Sequence, residues 1–186
     1  MTKRLILRVG LAAALVCSAT GAWAQSKAQG KGQDKAAQTF MTKAIQGNLA
    51  EVSMGQLAQQ KGESEGVRSY GQQLVADHTA ANTRATALAS QMGMTPPAEP
   101  SKKQVSDHHK LMKLSGAAFD RAFAQHMAAD HRKEIAEHRK AAKMKNDAAA
   151  SYASETLPVL EKHLEMAQAL SKGSAKGGGK AGKPAM

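Results

Sequence analysis

The chain has 186 residues, enough for one domain, with a formal charge of +11, one cysteine, one tryptophan and 3% aromatic residues. The basic excess lies at the ends: residues 39–170 hold 16 Lys/Arg against 14 Asp/Glu, so the part able to fold is close to neutral. A near-neutral core with few aromatics to stack on bases excludes a specific nucleic-acid-binding domain.

The first 24 residues read as a signal peptide. Lys3, Arg4 and Arg8 make a positive start, Gly10 to Val16 is a short apolar run, and Ala22-Trp23-Ala24 offers small residues where a signal peptidase needs them. Cleavage is expected near Ala24, which places the mature protein in the periplasm without its only cysteine, Cys17. Residues 25–37, rich in Gly, Gln and Lys, read as a flexible linker. From there to residue 171 the composition turns to Ala, Leu, Met, Gln, Lys and Glu, which favour helix.

The first helix is expected from about Gln38 to Gln60, with Met41, Ile45, Leu49 and Val52 as its apolar stripe. Gly62 follows it. The second opens near Ser64 and carries Val67, Gly71, Leu74, His78, Ala81, Ala85, Leu88 and Met92 in alternating steps of four and three, a seam that faces a partner helix. Pro96, Pro97 and Pro100 end it. Residues 101–114 suit a short connecting helix, after which Ser115 offers a cap and Gly116 a bend. The third long helix presents Phe119, Phe123, Met127, His131, Glu134 and His138 near one face. The fourth starts after Asn146-Asp147 and presents Ala153, Leu157, Leu160, His163, Leu164, Ala167 and Leu170, with a kink expected at Pro158. No stretch alternates with period two, so the fold class is all-α, an up-and-down four-helix bundle with a short connecting helix between helices two and three. Residues 172–186, with Lys172, Lys176, Lys180 and Lys183 among glycines, read as a disordered basic tail. Such a tail is suited to weak, salt-sensitive contact with an anionic membrane or cell-wall polymer.

Each long helix turns one chemistry-bearing residue inward. His78 and His163 lie on seams, His131 lies on the Met127 face, and Glu51 shares a stripe with Ala44, Gly47, Met54 and Ala58. Buried polar groups must be paired. Imidazoles and a carboxylate inside a bundle can be paired by each other or by one divalent transition-metal ion, with Glu51, His78, His131 and His163 as ligands. Glu134 lies three residues from His131 on the same face. His138 lies two turns on, roughly 10 Å along the axis, too far for the same ion. Asp77 and Asp130 each precede a histidine and point about 100° away from it, so they are expected to meet a histidine or arginine of another helix. The methionines are scattered and read as core filling rather than a copper site. No nucleophile motif or phosphate loop is present, no paired acids stand out although two-carboxylate acid/base work stays open, and no catalytic residue is assigned. Two other readings remain open: an envelope interaction protein whose inward polar groups are structural, and a pH sensor built on the same histidines.

Five segments together resemble one family. Gly47-Asn-Leu-Ala-Glu51-Val-Ser-Met-Gly-Gln-Leu-Ala58, Tyr70 to Asn82 with Asp77-His78, Leu114 to Ala122, Asp130-His131, and Thr156 to Leu164 with His163 look like the bacterial domain-of-unknown-function 4142 family. The resemblance covers about residues 38 to 170. It implies a ferritin-like four-helix bundle, usually exported, without an established activity. It also implies Glu51, Asp77, His78, Asp130, His131 and His163 as hallmark polar positions, and does not include Glu134 or His138. Ferritin-like di-iron proteins carry Glu-x-x-His on two helices. Here Val75 and Leu160 stand three residues before His78 and His163, and helix three has His131-x-x-Glu134 in reverse order. The ligand count therefore fits one metal ion, or a hydrogen-bond network, better than a di-iron pair.

Overall fold

The structure, a computed structural model, describes the backbone of residues 20–177 and the side chains of residues 35–173. Residues 1–19 of the expected signal peptide and residues 178–186 of the expected tail lie outside the described residues. Five helices and no strand occur among the described residues: α1 (Thr20–Lys61), α2 (Glu65–Gln91), α3 (Lys102–Met112), α4 (Gly116–Ala141) and α5 (Asp147–Gly177). None of them is long and apolar enough to cross a membrane.

Helix α1 begins at Thr20 rather than near Gln38, so it runs through residues 25–37, which composition had suggested as a linker. The Ala, Gln and Lys of that stretch favour helix, and Gly30 and Gly32 oppose it by only about 1 kcal/mol each. Helix α5 likewise continues past residue 171 to Gly177, and passes through Pro158 without ending.

The ends of the helices follow local chemistry. The Ser64 hydroxyl accepts a hydrogen bond from the Val67 N–H at the start of α2. Gly93, at φ +71°, turns the chain out of α2 in a conformation that a side chain resists. Ser101 and Gln104 form a reciprocal capping box on α3. Ser115 takes the cap position of α4, but its hydroxyl makes no cap hydrogen bond.

Contacts between helices give their directions. Gly55 meets Gly71 while Asn48 meets His78, so α1 and α2 are antiparallel. Lys43 meets Glu137 while Glu51 meets His131, so α1 and α4 are antiparallel. Tyr70 meets His163 while Arg84 meets Glu155, and the same holds for α2 and α5. His131 meets His163 while His138 meets Tyr152, which makes α4 and α5 antiparallel. Helices α2 and α4 therefore run the same way. The order is not the expected strict alternation of up and down. Residues 92–115, with α3 inside them, carry the chain back along the molecule before α4 begins. Periodicity shows which face of a helix is buried and carries no information on its direction, which is why the expectation failed here.

The core has two apolar ends. One holds Met54, Leu57, Tyr70, Leu74, Phe119, Phe123 and Met127. The other holds Phe40, Met41, Ile45, Ala85, Ala89 and Tyr152. Between them lies a buried polar layer: Asn48, Glu51, His78, His131, His163 and Thr156. Helices α1 and α2 approach closely at Gly55 and Gly71, where a Cβ on either would come within 2.6 Å of the other's carbonyl oxygen. That approach draws Glu51, one turn away on α1, and His78, two turns away on α2, into the same layer.

Candidate metal centre

Four residues expected from the sequence converge. His78, His131 and His163 bring one nitrogen each within 4.8 Å of one another. Their side chains are 2%, 0% and 0% exposed, and that of Glu51 is 1% exposed. Glu51 Oε2 lies 2.7 Å from His78 Nε2, and Glu51 Oε1 lies 3.4 Å from His131 Nδ1. Neither carboxylate oxygen has an aligned hydrogen-bond donor, and His78 Nε2 has no hydrogen-bond partner either. The 2.7 Å approach is thus a close contact whose angles do not make a hydrogen bond.

The outer nitrogen of each ring is engaged by a group that can only accept. His163 Nε2 lies 2.8 Å from Asp77 Oδ2. Asp77 is held below the usual carboxylate range: burial pushes it up, but hydrogen bonds from Gln73 and His163 outweigh that. His131 Nδ1 lies 3.0 Å from the Met127 carbonyl oxygen. His78 Nδ1 lies 3.0 Å from Asn48 Oδ1, and Asn48 Nδ2 donates to the Tyr152 hydroxyl at 2.9 Å. An outer nitrogen that faces an acceptor must carry the proton, so the inner nitrogen carries the lone pair. His131 Nε2 and His163 Nδ1 then face each other at 3.3 Å, lone pair to lone pair. Only a shared proton or a metal ion between them can hold that arrangement. A tetrahedral ion with metal–nitrogen bonds of about 2.0–2.1 Å separates two such nitrogens by about 3.3 Å.

The electrostatics suit a cation. Burial, then the neighbouring His78, lowers His163 to about 4, so this ring is neutral near pH 7. Burial pushes Glu51 up, but the surrounding imidazoles, His131 and His78 foremost, overcome it and hold the carboxyl at about 2. The cup therefore offers imidazole nitrogens and an ionised oxygen, a donor set that fits zinc, iron, copper or nickel.

The remaining expected residues divide. Asp77 meets His163 on another helix, as expected. Glu134 joins Glu51 and His131 in a second group with ligand atoms within 4.8 Å. Burial, then the charges of Glu51 and Asp130, push the Glu134 carboxyl well up. Asp130 departs from expectation: it is half-buried, lines a cleft beside α3, and makes no hydrogen bond or ion pair among the described residues. His138 stays out of the cup, with Nδ1 on the Glu134 carbonyl and its ring against Phe40 and Tyr152.

Three supporting residues were missed. Asn48 lies three residues before Glu51 on the same face, a signal the sequence did hold. Tyr152 lies eleven residues before His163, close to three full turns, which puts it too on the inner face. Gln73 precedes Asp77 by four residues and donates to its Oδ2 at 2.7 Å.

In comparison with known proteins, residues 22–170 match the family described as Domain of unknown function (DUF4142). No curated protein and no solved structure matches the chain.

Proposed function

The chain belongs to the DUF4142 family, whose description gives no activity, and from the site itself we propose that it is an exported protein that holds one divalent transition-metal ion through His78, His131, His163 and Glu51. One observation carries this reading. Three imidazoles have their outer nitrogens occupied by acceptors, the inner nitrogens of His131 and His163 face each other, and that of His78 meets a buried Glu51 carboxylate whose oxygens have no aligned donor. Buried polar groups without partners cost stability, and an ion would satisfy all of them at once.

The four long helices are read as a ferritin-like bundle, because ferritin-like folds carry one long crossover and residues 92–115 form such a connection. The site departs from the di-iron pattern and is read as mononuclear. Four protein ligands fill a tetrahedral sphere and leave no open position, which favours a holding or structural role over catalysis. Export rests on the basic and apolar character of residues 1–24 and would place the protein in the periplasm.

The test is metal analysis of untagged protein, followed by titration with Zn2+ or Co2+. One ion per chain is expected, with loss of binding in His163→Ala. Protein that stays metal-free with zinc, iron and copper all supplied would end the metal reading.

A further inference from the structure

A cleft of about 240 Å3 opens between α1, α3 and α4 and is lined in part by Gln46, Asp107, Asp130, Lys133, Glu134 and Glu137. Two of its three lysines are engaged at the rim, Lys103 with Asp107 at 2.6 Å and Lys43 with Glu137 at 3.5 Å, and the third, Lys133, acts on Asp130 without a direct ion pair. That leaves Asp130 and Glu134 as the acids of the wall without a direct ion pair. Glu134 belongs to both places, since it lines the cleft and its carboxyl also lies within 4.8 Å of ligand atoms of Glu51 and His131. On the far side of it, the Glu51 oxygens are buried and lack hydrogen-bond partners.

The molecule also reserves the space that Glu134 occupies. A Cβ on Gly47 would come 2.6 Å from Glu134 Oε1, with no backbone atom in the way. Glycine at this point of α1 costs helix stability and gains room for a carboxyl at the wall of the cup.

We propose that Glu134, with Glu51 and His131, forms a transient cation position through which a divalent metal passes from the α1/α3/α4 cleft into the three-histidine cup. The proposal rests on the metal reading above and adds the route. A closed cup needs such a route, because its ligands are buried from every side and a hydrated cation must shed water in steps. Asp130 at the wall draws the cation in, Glu134 takes it over, and Glu51 is shared between the transient position and the final one.

The experiment follows uptake rate separately from final binding. Metal-free full-length chain is mixed with Co2+ and the absorption of the nitrogen-bound ion is followed by stopped flow. Glu134→Gln, which keeps the shape but has no proton to release and no anionic oxygen to offer the incoming cation, should slow uptake about tenfold or more, within the range by which electrostatics alters association rates. Its final stoichiometry and spectrum should match the parent chain. Gly47→Ala should slow uptake as well, since it displaces the Glu134 carboxyl without removing it. Arg84→Gln, in an exposed pair with Glu155, should have the parent rate. A Glu134→Gln rate equal to the parent's would overturn the route. So would an altered final spectrum or stoichiometry, which would make Glu134 a permanent ligand. A parent chain that takes up no cobalt or zinc would overturn the cup itself, and the route with it.

Discussion

The apolar ends of the core and the polar layer between them are buried alike and built on opposite principles. At the Phe119–Phe123 end every side chain is satisfied by contact: Tyr70, Leu74, Phe119, Phe123 and Met127 are all fully buried, and the Tyr70 hydroxyl donates to the His163 carbonyl oxygen at 3.0 Å. In the polar layer Glu51 and His78 are just as buried, yet Glu51 Oε1, Glu51 Oε2 and His78 Nε2 lack hydrogen-bond partners. The ends hold the fold together. The layer carries buried polar atoms without partners, which lower stability.

The sharpest break of that comparison is a cavity at the apolar end. Phe123 is 0% exposed and stacks on Phe119 with ring centroids 5.7 Å apart. Phe123→Ala should cost about 3–5 kcal/mol, since a packed ring leaves a cavity that the neighbours fill only in part. Urea unfolding of the metal-free protein measures this directly. Metal stoichiometry should survive at temperatures where the variant is folded, because the cup lies in a different layer. Loss of metal binding from the folded variant would show that the ends and the layer do not act separately.

Acid should act on the layer and spare the ends. His163 is lowered to about 4 from an ordinary 6.5, chiefly by burial. Between those values the unfolded chain binds a proton that the folded chain does not, so stability falls as pH drops from 6.5 toward 4. The full shift corresponds to a loss on the order of 3 kcal/mol. Glu51, held at about 2 against an ordinary 4.5, extends the loss to lower pH. Glu134 acts the other way. Its raised carboxyl keeps a proton in the folded chain that the unfolded chain has released, so its contribution is lost as pH rises above 4.5. Denaturation of metal-free protein across pH 4 to 8 should show the acid limb, and His163→Gln should flatten it. Glu134→Gln should raise the melting temperature at pH 8 relative to the parent and change it least near pH 4. An acid limb of equal slope in His163→Gln would assign the loss to other groups.

How much of this could be read from the chain differs between the two regions. Helix existence was legible throughout, and so were the inward His78, His131 and His163, because a seam position is fixed by spacing alone. Glu51 was legible from its small neighbours Ala44, Gly47 and Ala58. Leu49 and Val52, expected on the α1 stripe, are half-buried, and Asn48 and Glu51 take the inner face instead. Polar residues on a buried face are invisible to a search for apolar periodicity. The cleft was illegible for a different reason. Whether Asp130 meets a histidine or opens on solvent depends on where α3 lies, and α3 is placed by the crossover and not by any spacing within α4. Asp77 matched its expectation because its partner, His163, lies on a long helix packed directly against α2.

The smallest predicted effect tests whether burial or satisfaction separates the two regions. Asp120 is a carboxylate 4% exposed at the apolar end, next to Phe119. Its two oxygens accept from the Glu63 and Ser64 backbone N–H groups at 2.9 and 2.8 Å, and so clip the α1–α2 turn to α4. It is as buried as the cup residues and fully paired. Asp120→Asn keeps one acceptor and turns the other toward an N–H, so it should cost about 1 kcal/mol, the net worth of a lost hydrogen bond. Added zinc should stabilise this variant and the parent by equal amounts, since a satisfied carboxylate has nothing to offer an ion. A larger zinc effect in the parent than in Asp120→Asn would mean that buried charge alone recruits metal, and the unpaired atoms of the central layer would lose their special standing.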